Sequence, residues 1–514
     1  MQASPDSSLA QFTAVLAGDD RIERLRAGVI GEGIEIPGPF GPRKLVYADY
    51  VASGRALRQI ESFVMENVLP YYANSHTEAS FCGARMTQMR REARAVIARI
   101  CGADAGFATV FAGAGATAGL NRIVALLGVH EAVQAGQPVT VLIGPYEHHS
   151  NILPWRESGA KVVEIGEAAT GGPNLVELEA ALLAAGPDAL TIGAFSAASN
   201  VTGIVTDADA VTRLLKRHGA LAVWDYAGGG PYLPIDMRAE TDAEKDAVVV
   251  SAHKFIGGPG ASGVMIIRKA AVRRTRPVIS GGGTVRFVSP WAHDYSTDVT
   301  VREEAGTPNV VGDIRAALCF LVKDAIGQAW MNTRHELLRQ RALRVWSANP
   351  NIEILGNPNA THRLPIFSFR VRDPRRGGMI HQQLFTRLLS DCHGIQARGG
   401  CACAGPYAHR LLGIDETRSN ALRSAILSGD EMQKPGWTRL NFSALADDAK
   451  ADFIIGAVDA LAENPYPMLT TYTCDEATAR FRPATTPPEV SRMVGLSGTE
   501  RESSVMYGGL RFFK

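Results

Sequence analysis

The chain reads as an α/β protein built on a mainly parallel central sheet flanked by helices, and three observations predict it. First, apolar strand-like runs alternate with Ala/Leu-rich helical stretches from about residue 105 to 270. The expected strands are Val139 to Ile143, Ala189 to Phe195, Leu221 to Trp224 and Ala247 to Val250, with Leu175 to Ala185 and Ala208 to Arg217 as helices between them. Second, polar and ionisable residues gather just after the strands, at their carboxyl ends, where open α/β sheets bind ligands. Third, the pattern changes after Pro308 to helices, Gly312 to Asn332 and His335 to Ser347, then a strand, Leu364 to Val371. That change predicts a smaller C-terminal α+β domain. The expected division is an N-terminal segment 1–60 packing with the small domain, a large domain 61–310, and a small domain 311–465. Segment 466–514, with its Thr-Thr-Pro-Pro, is expected to be a loosely structured tail. No internal repeat is visible.

Composition sets the broad class. With 514 residues, 46% of them apolar, the chain can bury a large core. A net charge of +1 gives no electrostatic case for nucleic acid or an acidic membrane. No apolar run reaches the roughly 18 residues of a membrane span. The stretch up to Leu25 carries Asp6, Asp19 and Asp20 and no apolar core, unlike a secretory signal or a transit peptide. Seven cysteines are sparse and odd in number for this length, which predicts free thiols in a reducing, cytoplasmic setting.

The elements that carry chemistry follow in chain order. Val110-Phe-Ala-Gly-Ala-Gly115-Ala116-Thr117 reads as strand, small-residue turn and helix, offering amide hydrogens and a hydroxyl to an anion. Val141 to Ile143 leads into Glu147-His148-His149-Ser150-Asn151, and Phe195 into Ser199-Asn200-Val-Thr-Gly203. A buried-type strand ends in Trp224-Asp225, a carboxylate able to pair with a protonated pyridine nitrogen. Another ends in Ser251-Ala-His253-Lys254, followed by the glycine-rich turn Gly257-Gly258-Pro-Gly260. A lysine at a strand mouth, among amides and a hydroxyl, suits a Schiff base to an aldehyde cofactor whose phosphate binds nearby. A lone lysine is ordinarily a surface residue; here the other elements accompany it.

Taken in order, the series resembles the class V (fold type I) PLP enzymes, most closely the cysteine desulfurase and selenocysteine lyase group. The resemblance runs from about Tyr47-Ala-Asp49 to about Ser443. Its elements are Gly115-Ala-Thr117, Glu147 to Asn151 with Pro154-Trp155, Ser199 to Gly203, Asp225, Ser251 to Lys254, Gly306-Thr307-Pro308-Asn309, Arg398 with Cys403-Ala404 and Pro406, and Arg439. It implies the PLP fold type I and pyridoxal 5'-phosphate (PLP) as cofactor. It implies that Lys254 holds the cofactor and moves the substrate Cα proton, that Asp225 keeps the pyridine nitrogen protonated, and that His148 stacks on the ring and serves proton transfer. Thr117, the Ala116 amide, Ser251 and His253 would bind the phosphate. Thr307 would reach it from the other subunit, which implies a homodimer. Asn200 would sit beside cofactor and substrate, and Arg439 would clamp the substrate carboxylate. His149 is read as an ordinary loop histidine.

The cysteines choose the chemistry. Counting from Arg398 places Cys403 on the nucleophile of the group, which implies attack on the sulfur of L-cysteine, a persulfide on Cys403, release of L-alanine and delivery of sulfur to an acceptor protein. Cys401 lies outside the usual pattern: it could pair with Cys403, relay sulfur or simply fill a loop. A Cys-X-Cys pair supplies too few ligands for a closed zinc site, so no metal is expected. Two departures stand out. Gly228 occupies the position where the group places a glutamine that donates to the ring oxygen, and a polar insertion, 415–437, separates Cys403 from Arg439, a candidate lid or docking surface. The segment Tyr71 to Thr77 matches the substrate-side loop only loosely. Two other readings stay open: a class V C–S lyase or aminotransferase-like enzyme on a larger amino acid with no need of Cys403, and a non-catalytic sulfur-carrier or scaffold subunit.

Overall fold

Seven strands form one sheet at the centre of the molecule, in a computed structural model that describes residues 8–75, 77–375, 377–469 and 471–484. In chain order they are β1 (Phe107–Gly113), β2 (Val139–Ile143), β3 (Lys161–Glu164), β4 (Leu190–Ser196), β5 (Leu221–Asp225), β6 (Ala247–Val250) and β7 (Gly263–Arg268). Their spatial order is β1-β7-β6-β5-β4-β2-β3; β7 alone runs opposite to the other six. The expectation of a mainly parallel sheet holds. Because both faces are covered, the strands carry apolar residues on both. Along β7, Val264 and Ile266 join the core on one face, while Met265 and Ile267 join the core on the other.

Packing fixes the direction of the strand ends. Trp224 near the end of β5 is fully buried, and its indole N–H donates to Thr212 Oγ1 at 3.0 Å in the helix Ala208–Arg217. Cutting such a side chain back to alanine costs about 3–5 kcal/mol. The helix that follows β1, α1 (Gly115–Leu126), begins at Gly115 with φ +67°, a left-handed conformation that favours glycine. A Cβ on Gly263 would stand only 2.5 Å from the Gly115 Cα, so two glycines let β7 and the start of α1 meet.

The second, smaller sheet has four antiparallel strands: β8 (Ile352–Ile354), β9 (Ile366–Val371), β10 (Arg398–Gly400) and β11 (Trp437–Asn441), in the order β8-β9-β11-β10. Helices α2 (Val310–Ile326) and α3 (Gln328–Trp346) precede it, and α4 (Gln382–His393) follows β9. The break between α2 and α3 falls at Gly327, φ +86°, not near residue 333 as the apolar pattern suggests, because a glycine in a left-handed conformation ends α2. Trp346, Phe367, Phe369, Phe385 and Leu440 form the core beneath the small sheet.

The N-terminal segment divides between both parts. Leu9, Phe12 and Leu16 pack into the core of the large sheet, whereas the short strand Val46–Tyr47 pairs in parallel with Ile395–Gln396 beside the small one. The start of the expected loose tail is tied down: strands Tyr472–Asp475 and Arg480–Pro483 form a hairpin, and the Tyr472 hydroxyl donates to Asp391 Oδ2 of α4 at 2.8 Å. The rest of that tail, 485–514, lies outside the described residues, as does His76 of the substrate-side loop. Among the described residues no helix is long and apolar enough to cross a membrane.

Candidate active site

The carboxyl ends of β1, β2, β4, β5 and β6 meet in one cleft, and the loop after β10 closes its far side. Ala116, Thr117, His148, Asn200, Asp225, Ser251, His253, Lys254, Cys403 and Arg439 all line it. Every residue expected at the site is therefore brought together except Thr307, which is exposed and lies off this cleft.

At one end the α1 N-terminus faces Ser251 and His253. The Ala116 amide donates to Ser251 Oγ at 3.0 Å, and a Cβ on Gly115 would meet His253 Cε1 at 2.9 Å and Ser251 Oγ at 3.0 Å. Thr117 Oγ1 and Ser150 Oγ are 2.7 Å apart, and Ser150 Oγ lies 3.1 Å from His148 Nδ1. Helix-terminal amides, hydroxyls and an imidazole at close range form an anion cradle. At the other end stands Asp225, buried, its Oδ1 accepting the Ala227 amide at 2.7 Å. Burial raises its pKa, against the Ala227 bond and the Lys254 charge. A buried carboxyl in that position is suited to a cationic N–H partner.

Lys254 sits between these ends. Burial lowers its pKa, the Asp225 charge works against that, and Arg439 and Arg398 add to it. His148 has its pKa pushed down to about 4, by burial first and then by Lys254. It is neutral at pH 7, and because Nδ1 accepts the Ser150 amide at 3.1 Å, its proton is assigned to Nε2. Behind it, Glu147 ties β2 to β4, accepting from Asn151 Nδ2 at 2.6 Å and from the Ser196 amide and hydroxyl at 2.8 and 2.7 Å. Burial pushes its carboxyl up to about 7, the Ser196 and Asn151 bonds restraining it.

The opposite wall belongs to the small sheet. Arg439 on β11 is buried; its Nη2 donates to Asp49 Oδ1 at 2.9 Å and its Nη1 to the Asn200 carbonyl at 3.0 Å. Arg398 on β10 donates through Nε to the second oxygen, Asp49 Oδ2, at 2.9 Å. One carboxylate thus holds both guanidinium groups at the cleft. Beyond β10 the chain turns through Ala402 and Cys403, both with left-handed φ of +55° and +56°, which costs about 1–2 kcal/mol per non-glycine residue. Cys403 is exposed and Cys401 half-buried, and neither is in a disulfide. The insertion forms a helix, Glu416–Leu427, with no buried residue, started by Asp415 capping the Arg418 amide; it does not line the cleft.

Three residues at the site were not assigned roles from sequence. Asp49 is recognisable only as the start of the resemblance, because its partners are 349 and 390 residues away along the chain. Ser150 joins Thr117 to His148, and His149, read as an ordinary loop residue, contacts the cysteine loop. Its amide donates to the Cys403 carbonyl at 2.9 Å, and its Nε2 accepts the Gly405 amide at 2.9 Å. Gly228 packs with its α-carbon toward the Ala198 carbonyl, which a Cβ would approach to 3.2 Å, so a glutamine there fits only if that carbonyl gives way.

These residues fit PLP. An anion cradle, an amine and a buried carboxyl succeed one another along one cleft, and two buried polar atoms of its wall, Asn200 Oδ1 and Arg439 Nε, have no hydrogen-bond partner among the described residues. Comparison with known proteins agrees. Residues 46–425 match the aminotransferase class-V family. The chain is similar to a probable cysteine desulfurase of Vibrio cholerae serotype O1, with 31% identity over 367 residues, 70% of this chain and 85% of the relative. A probable cysteine desulfurase of Streptomyces coelicolor is 26% identical over 379 residues, 73% of this chain and 86% of that one. Among solved structures, the apo cysteine desulfurase of Thermococcus onnurineus NA1 superposes with TM-score 0.67 at 22% identity, covering 82% of this chain and 95% of that one. The Escherichia coli cysteine desulfurase CsdA does so with TM-score 0.65 at 21% identity, covering 86% and 98%. At that identity the superpositions speak for the fold, the PLP fold type I. The chain belongs to the class-V aminotransferase family of PLP-dependent enzymes.

Proposed function

We propose that this chain is a PLP-dependent cysteine desulfurase that converts L-cysteine to L-alanine and takes the sulfur onto Cys403 as a persulfide. One observation carries the reading: Cys403 lines the same cleft as Lys254, Asp225 and His148. The relatives that share most of the chain's length, named probable cysteine desulfurases, support it.

When bound, PLP supplies an electron sink conjugated to the substrate Cα. Thr117, the Ala116 amide, Ser251 and His253 would hold its phosphate, and Asp225 would pair with its ring nitrogen. Lys254 would hold the cofactor through its amine and would move the substrate Cα proton, a role suited to an amine whose pKa burial has lowered. Arg439 and Asn200 orient the substrate carboxylate, with Asp49 keeping the guanidinium aimed. His148, neutral and carrying its proton on Nε2, would lie against the bound cofactor and serve proton transfer. The Cys403 thiolate attacks the substrate sulfur. The Sγ–S bond forms, the substrate Cβ–S bond breaks, and its electron pair stays on the carbon skeleton, which is protonated to alanine. L-cysteine and one thiol thus give L-alanine and one persulfide.

The same reading has Thr307 serve the phosphate site of a second copy in a homodimer; its exposure away from its own cleft supports this. An acceptor thiol or protein then takes sulfur from Cys403. Seven free cysteines support a reducing, cytoplasmic setting.

The test is alanine and sulfide release from L-cysteine with a thiol reductant, for the wild type and Cys403→Ser side by side. Alanine formed by the wild type and lost in the variant is the expected result. Equal activity in both would make Cys403 a bystander and turn the reading to a C–S lyase.

A further inference from the structure

We propose that His149 is a positioning residue that docks the Cys403 loop against the cofactor cleft, acting as an external cap on the helix that begins at Gly405. Beyond β10 the backbone passes through two consecutive non-glycine residues in the left-handed conformation, Ala402 and Cys403, before entering the helix Gly405–Leu412. L-residues do not hold that conformation unless surrounding groups compensate it. The helix offers no internal help, since its N-cap residue is Ala404, with no side-chain cap. Compensation comes from the far side of the cleft. Asn200 Nδ2 donates to the Ala402 carbonyl at 2.9 Å, the His149 amide donates to the Cys403 carbonyl at 2.9 Å, and the Gly405 amide donates to His149 Nε2 at 2.9 Å.

The chemistry of the ring suits this role. Burial, and then the charge of Arg156, lowers the His149 pKa, so the ring is neutral; with Nε2 accepting, the proton lies on Nδ1. A Cβ at position 405 would stand 3.0 Å from Nε2, so glycine there admits the ring. His148 and His149, centroids 6.1 Å apart, divide the work. His148 has its Nδ1 tied to Ser150 and faces the cleft, while His149 turns its Nε2 to the loop. These hydrogen bonds act beside apolar packing, in which Ala404 and Tyr407, with Cys401 and Ala402 against them, share a cluster with Tyr146, Val201 and Ile204; the packing seats the helix, and the hydrogen bonds set the path of the exposed Cys403 before it. The docking stands on this geometry alone; its catalytic consequence rests on the reading of Cys403 as sulfur acceptor.

The test uses holoenzyme of the wild type, His149→Ala and His149→Gln. Amide hydrogen exchange of the 399–407 peptide, the rate of Cys403 alkylation, the cofactor absorbance, and kcat and KM for alanine formation are measured on each. In His149→Ala the expected result is about tenfold faster exchange, the loss of one hydrogen bond that leaves the Gly405 amide unpartnered. Alkylation should also be faster and kcat lower, with KM and the cofactor band unchanged. His149→Gln, whose amide oxygen can accept in place of Nε2, should recover most of the protection and the rate. Unchanged loop exchange in His149→Ala would overturn the proposal, and so would a glutamine variant as impaired as the alanine one. The exchange measurement decides the docking even if Cys403→Ser keeps full activity, an outcome that would sink the desulfurase reading alone.

Discussion

The two walls of the cleft are held in different ways. The wall formed by the ends of β4, β5 and β6 is continuous with the central sheet: Ser196, Asp225 and Ser251 are buried, and Glu147 alone accepts three hydrogen bonds. The facing wall, from Arg398 to Gly405, is mostly half-exposed, runs through two left-handed residues, and meets the loops after the central strands through hydrogen bonds with Asn200 and His149 and through apolar packing of Cys401, Ala402 and Ala404 in a cluster with Tyr146, Val201 and Ile204. The first arrangement keeps a cofactor in fixed geometry without reorganisation. The second suits a group that must approach the cofactor and leave again. The two walls thus come from different sheets, and Asp49, from the N-terminal segment, holds two arginines of the small sheet in register.

The strongest way to break this contrast is at the fixed wall. Lys254→Ala should lower alanine formation by about a thousandfold or more, as loss of a proton-transferring group does, while size-exclusion chromatography shows an unchanged assembly and the thermal melt stays cooperative. Loss of assembly instead would make the lysine a structural residue. At the junction of the walls, Asp49→Asn leaves buried Arg439 without its charge partner. The expected cost is about 3 kcal/mol of stability, read by denaturant unfolding, together with a raised KM for L-cysteine. A variant as stable as wild type with unchanged KM would remove Asp49 from the account.

The buried framework behind the fixed wall can be tested by pH. His335 on α3 is buried with neither ring nitrogen partnered among the described residues, and its pKa is pushed down to about 3 by burial and then by Arg334. Its folded value lies below the ordinary 6.5, so the unfolded chain binds the extra proton. Its contribution is complete above about pH 6.5 and is lost as pH falls toward 3, at about 1.4 kcal/mol per pH unit. Glu147, raised to about 7, titrates nearby with the opposite sign. The readout is therefore the difference between wild type and His335→Leu, which should widen in favour of the variant from pH 6.5 to pH 4. A constant difference would contradict the burial of a neutral imidazole. The smallest effect is expected at the facing wall: Ala402→Gly relieves one left-handed residue and should slow Cys403 alkylation slightly, with a gain of about 1 kcal/mol in loop docking and no change in the global melt.

What the sequence disclosed follows the same division. Each fixed-wall residue lies within a few positions of a strand end, so apolar run, turn and polar residue are read together: Trp224-Asp225, Val250-Ser251 and Phe195 to Asn200 all stand where expected. The sheet was legible for the same reason, since burial on both faces writes itself as continuous apolar runs. The facing wall was legible only in its Cys403 and Arg398 motif. Its attachments are not local: Asp49 meets Arg439 across 390 positions, Asn200 meets the Ala402 carbonyl across 202, and Gly405 meets His149 across 256. Nothing in the neighbourhood of Asp49 or His149 marks such partners, and a second histidine beside His148 looks redundant until the fold brings the loop to it. The break between α2 and α3 was misplaced because apolar periodicity runs on past Gly327, where only the left-handed backbone ends the helix.

The central claim is that sulfur passes to Cys403, and the most direct measurement is mass spectrometry of the Cys403 peptide. Holoenzyme would be mixed with sulfur-labelled L-cysteine without reductant and alkylated within a single turnover. The account predicts one labelled sulfur on Cys403, not on Cys401, in an amount matching the alanine formed. Alanine accumulating while Cys403 stays an unmodified thiol would contradict it.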